Sequence, residues 1–208
     1  MKKTVITIAR SYGSGGRTLG KLLAQRLGIN FYDREILRMA SDESGINEAL
    51  FAQADERLKR SPLFSIIKRE PYHGSIIRPE SADFVSDDNL FNYQAKVIRE
   101  LAAAESCIII GRCADYILKG QPYVTRLYFY APMEDCIVRV KEQVGLSEKE
   151  AVKRIEKTDK YRADYYKFYT GRDWNDTRNY DVCLNTVSMD YEKLIEVVEK
   201  ILEIRQNL

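Results

Sequence analysis

Residues 4–28 read TVITIARSYGSGGRTLGKLLAQRLG and decide the fold of this chain. The β-branched apolar run over residues 4–9 predicts a buried strand. A glycine-rich loop over residues 10–16 follows this strand. One face of a helix then carries the spaced leucines, and Gly28 ends that helix; the leucines are Leu19, Leu22, Leu23 and Leu27. The chain therefore opens as strand, glycine loop and helix.

The glycine loop matches a phosphate-binding pattern with two departures. The pattern is G-x-x-x-x-G-K-S/T between a strand and a helix, and residues 11–18 read SYGSGGRT, with Ser11 for the first glycine and Arg17 for the lysine. Backbone N–H groups in such a loop bind anions, and the helix N-terminus favours negative charge. A plain glycine-rich turn is the alternative. The predicted phosphate-binding residues are Gly13, Ser14, Gly15, Gly16, Arg17 and Thr18.

Length and composition limit the classes of protein that remain. The 208 residues suit one domain, and a net charge of +2 is small for a dedicated nucleic-acid binder. No apolar stretch is long enough to span a membrane, and the N-terminus reads as a strand rather than a signal peptide, so we expect a soluble cytoplasmic protein. The cysteines form no C-x-x-C pair, and His73 is the single histidine, which disfavours a zinc site.

The rest of the chain alternates short apolar strands with helices, which predicts a parallel sheet covered on both faces. Residues 61–88 show no regular pattern. Further strands are predicted at 30–32, 107–110, 126–130 and 181–185, and further helices at 34–40, 42–60, 90–104, 134–144, 147–169 and 190–205.

The sequence resembles the P-loop nucleoside monophosphate kinases, and specifically the cytidylate kinase-like family of bacteria. The resemblance covers most of the chain, and residues 42–95 contribute little to it. Its blocks, in order, are IARSYGSGGRT at 8–18, FYDREIL at 31–37, IIIGRCAD at 108–115, DKYR at 159–162 and YDVCLNT at 180–186.

The resemblance implies a single kinase domain over residues 1–208 with a five-stranded parallel sheet. It implies an acceptor-binding segment over residues 42–95 and a lid segment over residues 147–175. The implied reaction is transfer of the γ-phosphoryl group of ATP to CMP or a related nucleoside monophosphate. ATP would lie on residues 13–18, and the Thr18 hydroxyl is placed to hold Mg²⁺.

Four residues are candidates for binding the acceptor. Asp33 closes the second predicted strand, and Arg34 and Arg38 follow it one helical turn apart. Arg112 follows the third strand, at the edge where open parallel sheets bind ligands, and it resembles the arginine of the family's Gly-Arg-Asp motif. Cys113 stands where that motif has aspartate, and Asp115 lies two residues later. A capping aspartate with solvated arginines is the alternative.

The long charged helix supplies the candidates for catalysis, together with Arg17. Asp159 and Arg162 match the Asp-x-x-Arg of the family's lid, where an arginine stabilises charge on the transferring phosphoryl group. Arg154 and Thr158 share the face of Arg162. A charged, solvated helix is the alternative. The tyrosines on another face, Tyr161, Tyr165 and Tyr169, fit core packing better than stacking on a base.

Two other functions remain open. The departures at Ser11, Arg17 and Cys113 suit a nucleotide-binding regulatory protein without turnover. Asp33 after the second strand suits a small-molecule kinase of shikimate-kinase type. Neither the acceptor nor the oligomeric state follows from the sequence.

Overall fold

The fold is an α/β fold built on one five-stranded parallel sheet. The computed structural model describes residues 2–60 and 75–206. The strand order across the sheet is β2-β3-β1-β4-β5, and every strand pair is parallel. This confirms the predicted fold class. The strands are β1 (Val5–Arg10), β2 (Asn30–Tyr32), β3 (Cys107–Ile110), β4 (Val124–Tyr130) and β5 (Val182–Asn185).

Helices connect the strands and cover the sheet. A short 3-10 helix, Thr177–Asn179, precedes β5. Within the described residues no helix is long and apolar enough to cross a membrane. The helices are α1 (Gly16–Leu27), α2 (Glu35–Ser44), α3 (Glu48–Arg60), α4 (Asp87–Ala104), α5 (Ala114–Ile117), α6 (Met133–Val144), α7 (Glu148–Thr170) and α8 (Tyr191–Gln206).

The prediction of one helix over residues 42–60 was wrong. Gly45 adopts a left-handed φ of 70° and its N–H bonds to the Ser41 carbonyl, which ends α2, and α3 starts only at Glu48. The sequence also did not predict α5 or the 3-10 helix. Of the stretch expected to be irregular, residues 75–86 lack helix and strand. Residues 61–74, with His73, lie outside the described residues.

Alternation along the strands divides the core into two layers, because successive side chains point to opposite faces of the sheet. Ile6 and Ile8 of β1 pack in a buried cluster with Leu19 and Leu23 of α1 and with residues of α8. Val5 packs in the other layer, which α2, α3 and α4 cover. Both faces of the sheet are thus covered by apolar layers.

Helix α7 is anchored at both of its ends. Ser147 caps it, with reciprocal bonds between Ser147 and Glu150. Near this end Ala151 and Ile155 pack in a cluster with residues of α6. Near its C-terminus three buried tyrosines pack with Phe91 of α4 and with Trp174; they are Tyr165, Tyr166 and Tyr169. This anchoring lays the middle of α7 across the loop that follows β1.

Candidate active site

The glycine loop joins β1 to α1 and presents several unbonded backbone donors. Gly13 and Gly15 have left-handed φ values of 82° and 77°, a region that glycine enters at no steric cost. Among the described residues, no backbone or side-chain oxygen accepts a hydrogen bond from the N–H of Gly13, Gly15, Arg17 or Thr18. N–H groups at the start of a helix find no acceptor within the helix, and the oxygens of a phosphate would supply several.

The Ser14 carbonyl is held away from these donors by two residues that the sequence analysis did not select. Arg139 of α6 donates from Nη1 to the Ser14 carbonyl at 2.7 Å, and the Thr186 hydroxyl donates to the same oxygen. The Arg139 guanidinium also bonds to Thr186. Thr186 ends the last block of the resemblance, whereas nothing in the sequence links Arg139 to a residue 125 positions away.

The loop is packed so closely that its glycines have no room for side chains. A Cβ on Gly13 would lie 2.8 Å from the Cys136 carbonyl oxygen, and a Cβ on Gly15 would collide with the Tyr191 hydroxyl. The loop therefore holds its shape through contacts with α6 and α8.

Arg17 lies in the first turn of α1 and turns toward the end of β2. Its Nε donates to Asp33 Oδ2 at 2.7 Å, and its side chain is 56% exposed. The Thr18 side chain is also exposed. No group of three or more His, Cys, Asp or Glu within residues 2–60 and 75–206 could hold a metal ion. A Mg²⁺ ion at Thr18 would thus depend on phosphate oxygens for most of its ligands, which is how this ion usually binds in kinases.

Four of the predicted site residues converge on one further residue, Arg10, at the end of β1. Burial lowers the pKa of Arg10. The positive charges of Arg162 and Arg112 lower this pKa further by repulsion, whereas the carboxylates of Asp33 and Asp159 oppose the decrease. The neighbours that carry these charges are Asp33, Arg112, Asp159 and Arg162. Arg34 and Arg38, by contrast, are exposed near the start of α2.

The backbone at Arg112 has an unusual conformation. Gly111, Arg112 and Cys113 all have left-handed φ values, of 77°, 57° and 55°. Two consecutive non-glycine residues in this region cost about 1–3 kcal/mol each, and such strain concentrates at functional sites. The turn seats Cys113 in the aromatic cluster beside α4 and leaves Arg112 half-buried at the sheet edge.

Asp115 does not take the place of the missing aspartate at the sheet edge. It is 7% exposed and accepts a hydrogen bond of 2.6 Å from the Tyr166 hydroxyl. Burial raises the pKa of Asp115 to about 6, against the opposing effect of the Tyr166 hydrogen bond. It lies in the core under the sheet edge.

Asp159 and Arg162 join α7 to the glycine loop. The Tyr12 N–H donates to both oxygens of Asp159, at 2.8 and 3.0 Å. Arg162 Nη1 donates to Asp159 Oδ1 and to the Arg10 carbonyl, each at 3.0 Å. Burial raises the pKa of Asp159, although Arg162 opposes the rise. The predicted i,i+3 pair is therefore present and contacts the loop.

The face of α7 that carries Arg154 also reaches the loop. Arg154 Nε donates to the Tyr12 hydroxyl at 3.0 Å, and the Arg162 guanidinium lies 5.5 Å from the centroid of the Tyr12 ring. Tyr165 and Tyr169 pack against Phe91, and Tyr161 contacts Tyr165, which confirms the interpretation that these tyrosines belong to the core.

A cleft of about 570 Å³ opens beside the loop, between the ends of β4 and β5 and helix α7. Its walls include Ser11 and Asp159 on the loop side and Tyr128 and Trp174 on the other. This volume falls within the usual range for small-molecule sites, and such sites are mostly apolar with a few polar groups.

The chain matches the cytidylate kinase-like family over residues 5–188. It belongs to that family. A curated relative, the cytidylate kinase of Pyrococcus horikoshii, is 26% identical over 198 residues, which cover 95% of this chain and 87% of the relative. A 101-residue stretch is 30% identical to part of a uronate isomerase from Corynebacterium glutamicum, of whose length this chain spans only 19%. Membership of the family supports a phosphotransferase that acts on a nucleotide.

Solved structures agree on the fold. An uncharacterised protein from Eubacterium ventriosum aligns with a TM-score of 0.70 at 26% identity, over 97% of this chain and 99% of that chain. A shikimate kinase from Bacteroides thetaiotaomicron aligns with a TM-score of 0.50 at 15% identity, over 96% of this chain and 98% of that one. At that identity the second likeness concerns the fold alone.

Proposed function

We propose that this protein is a kinase that transfers the γ-phosphoryl group of ATP to a nucleoside monophosphate, with CMP or dCMP as the acceptor. One observation carries the proposal: the unbonded N–H donors of the loop and the charged cluster around Arg10 meet at one edge of the sheet. This edge, at the carboxyl ends of the strands, is where open α/β sheets bind ligands.

The donor nucleotide occupies the glycine loop in this proposal. The N–H groups of Gly13, Gly15, Arg17 and Thr18 bind phosphate oxygens, and the start of α1 adds its dipole. Arg17 reaches the phosphates by leaving Asp33, which its exposed side chain allows. Mg²⁺, when bound at the Thr18 hydroxyl, neutralises charge on the phosphates. The aromatic walls of the cleft at Tyr128 and Trp174 suit the flat face of a base.

The acceptor lies between β2 and β3 in this proposal. Arg112, set by its strained turn, binds the acceptor, and Asp33 binds an acceptor hydroxyl once Arg17 has moved. Arg34 and Arg38 remain proposed ligands of the acceptor phosphate, and their exposure leaves them able to turn toward it. Residues 42–95 form the acceptor-binding segment.

The lid segment stabilises the transferring group in this proposal. Arg162 places a guanidinium over the phosphoryl group, where charge develops on the equatorial oxygens, and Asp159 orients that arginine. Positioning and charge account for the catalysis, since phosphoryl transfer asks for little covalent chemistry from the protein.

An ADP-release assay with MgATP and a panel of acceptors tests the proposal. The panel contains CMP, dCMP, UMP, AMP, GMP and shikimate. We expect the highest kcat/KM with CMP or dCMP. Preference for another nucleotide would support a nucleotide kinase and reject CMP and dCMP as the acceptors, and turnover of shikimate alone would favour the small-molecule kinase. ATP binding without turnover on any acceptor would favour a regulatory protein.

A further inference from the structure

Arg10 occupies a space that two glycines keep open. A Cβ on Gly16, at the start of α1, would lie 2.9 Å from Arg10 Cβ, and a Cβ on Gly111, after β3, would lie 2.6 Å from Arg10 Nη1. The side chain therefore runs from the glycine loop to the turn that carries Arg112. It spans the boundary between the proposed donor and acceptor sites.

The carboxylates of Asp33 and Asp159 act on the charge of the Arg10 guanidinium from a distance, without direct contact. No ion pair or hydrogen bond links its side chain to any residue in 2–60 or 75–206. The nearby carboxylates are engaged elsewhere, since Asp33 bonds to Arg17 and Asp159 bonds to Arg162. A half-buried arginine is costly to leave without a hydrogen-bonded partner.

Neighbouring guanidinium groups act on Arg10. Those of Arg162 and Arg112 lower the pKa of Arg10 by repulsion, in addition to the larger effect of burial, and the carboxylates of Asp33 and Asp159 oppose them. An anion bound against Arg10 would relieve both the repulsion and the missing hydrogen bonds.

We propose that Arg10 binds a phosphate group of the nucleotide substrates, at the point where the donor and acceptor phosphates meet. This inference rests on the proposed function. Arg10 thereby adds a second cation to the loop beside Arg17, supplied from the end of β1. A guanidinium suits this task because its planar fork matches two oxygens of a phosphate.

Titration calorimetry of Arg10→Met and Arg10→Lys, separately with MgATP and with CMP, tests the inference. Methionine keeps the length and removes the charge. Since a hydrogen bond to a charged group contributes about 1.5–3 kcal/mol, Arg10→Met should weaken binding of at least one ligand by about tenfold or more. The ligand that is affected identifies the phosphate as that of the donor or of the acceptor. Arg10→Lys should lose less affinity than Arg10→Met.

Thermal unfolding of the ligand-free proteins separates binding from a structural role. An unpaired, shielded charge does not stabilise the fold, and an apolar replacement is often neutral or stabilising. We therefore expect Arg10→Met to unfold at the wild-type temperature or above it. The matched control is Arg26→Met in the last turn of α1, far along that helix from the glycine loop, where Arg26 pairs with Glu192 and Glu199, and its ligand affinities should be unchanged.

The inference would be overturned by wild-type affinities for both ligands in folded Arg10→Met. If that variant does not fold, wild-type affinities for both ligands in Arg10→Lys would overturn it equally, since a point charge cannot reproduce the fork. Failure of the wild-type protein to bind either MgATP or CMP would instead reject the proposed function.

Discussion

At the residue scale, the ion pair between Arg17 and Asp33 connects the proposed donor and acceptor sites. Asp33 Oδ2 accepts from Arg17 Nε, and the Asp33 side chain is only 15% exposed, whereas that of Arg17 is 56% exposed. An exposed ion pair of this kind contributes about 0–1 kcal/mol, so Arg17 can exchange the carboxylate for a phosphate at little cost.

Arg17→Ala should therefore weaken MgATP binding by about tenfold and lower turnover, because a charge-assisted bond to phosphate is lost. Arg17→Lys should retain more activity than Arg17→Ala. Calorimetry with MgATP and the ADP-release assay measure these effects, and Arg26→Ala is the control on the same helix. If Arg17→Ala and Arg26→Ala behave alike, Arg17 has only a surface role.

A substitution at Gly15 tests whether the glycine loop binds ATP. Gly15→Val should abolish MgATP binding in a folded protein, because the added Cβ collides with the Tyr191 hydroxyl and displaces the loop. Gly145→Val is a matched control, since Gly145 has a similar φ of 71° but no atom within 4 Å of an added Cβ. Both variants should lose stability through backbone strain, and only Gly15→Val should lose ATP binding, measured by calorimetry. Equal ATP affinities in the two variants would remove the loop from the proposed site.

Asp115 makes stability depend on pH in an unusual direction. Burial raises its pKa from 3.8 to about 6, so the folded state holds its proton more tightly than the unfolded state. The stability that comes from this proton is present below pH 4 and is lost as the pH rises through 6. Relative to wild type, Asp115→Asn should gain about 2–3 kcal/mol in unfolding free energy between pH 4 and pH 7.

Urea unfolding at several pH values measures this difference, and Asp181→Asn provides a control of opposite sign. Burial raises the pKa of Asp181, but its bonds to Arg126 outweigh this and leave the pKa lowered. The stability that Asp181 contributes is therefore present above pH 4 and is lost as the pH falls below 4. The unfolding free energy of Asp181→Asn should therefore decrease relative to that of wild type as the pH rises. A pH-independent difference for Asp115→Asn would contradict the prediction.

At the element scale, α7 combines anchored ends with a charged middle. The middle contacts the loop through Asp159, which accepts from the Tyr12 N–H, and through Arg162, which donates to the Arg10 carbonyl. A fully solvated helix would not place a shielded carboxylate and a shielded guanidinium against the glycine loop. The lid role of residues 147–175 stays a prediction.

Arg162→Ala should lower kcat by about a hundredfold or more and change the Kd for MgATP much less, because its contact with the phosphoryl group strengthens in the transition state. Asp159→Ala should show part of the same loss, and the double variant should be sub-additive. Single-turnover kinetics and equilibrium binding measure the two quantities. Lys167→Ala is the control, since Lys167 pairs with Asp173 at an exposed position on the same helix and does not line the cleft. Wild-type turnover in Arg162→Ala would make residues 147–175 a structural segment.

At the scale of the whole molecule, ligand binding should stabilise the fold, because the loop depends on β1, α1, α6 and α8 together. At a concentration of about 100 times its Kd, MgATP should add about 2.7 kcal/mol to the unfolding free energy. For a chain of this length that corresponds to a rise in Tm of about 5–10 °C. Differential scanning calorimetry measures the shift, and Gly15→Val should show none. An unchanged Tm in the wild-type protein would contradict ATP binding.

The sequence by itself determined the sheet, the glycine loop and the family, because these depend on local patterns. Apolar runs such as Cys107–Ile110 form strands wherever helices cover both faces, and the glycines of the loop have φ values that their residue type allows. The capping box at Ser147 and Glu150 was likewise readable from adjacent residues. The break at Gly45 was missed because a single glycine between two apolar patterns signals only weakly.

Only the tertiary structure decided which charges meet. The sequence placed Arg10 at the start of the glycine loop, and only the fold shows that Gly16 and Gly111 pack around its side chain. Arg139 is joined to Ser14 across the sheet edge, and Asp115 is separated from that edge by burial under Tyr166. Coulomb energies and burial depend on distances through space, and residues far apart in the chain carry no local mark of being neighbours. The pattern of elements is thus a property of short segments, while the electrostatics of the site is a property of the folded whole.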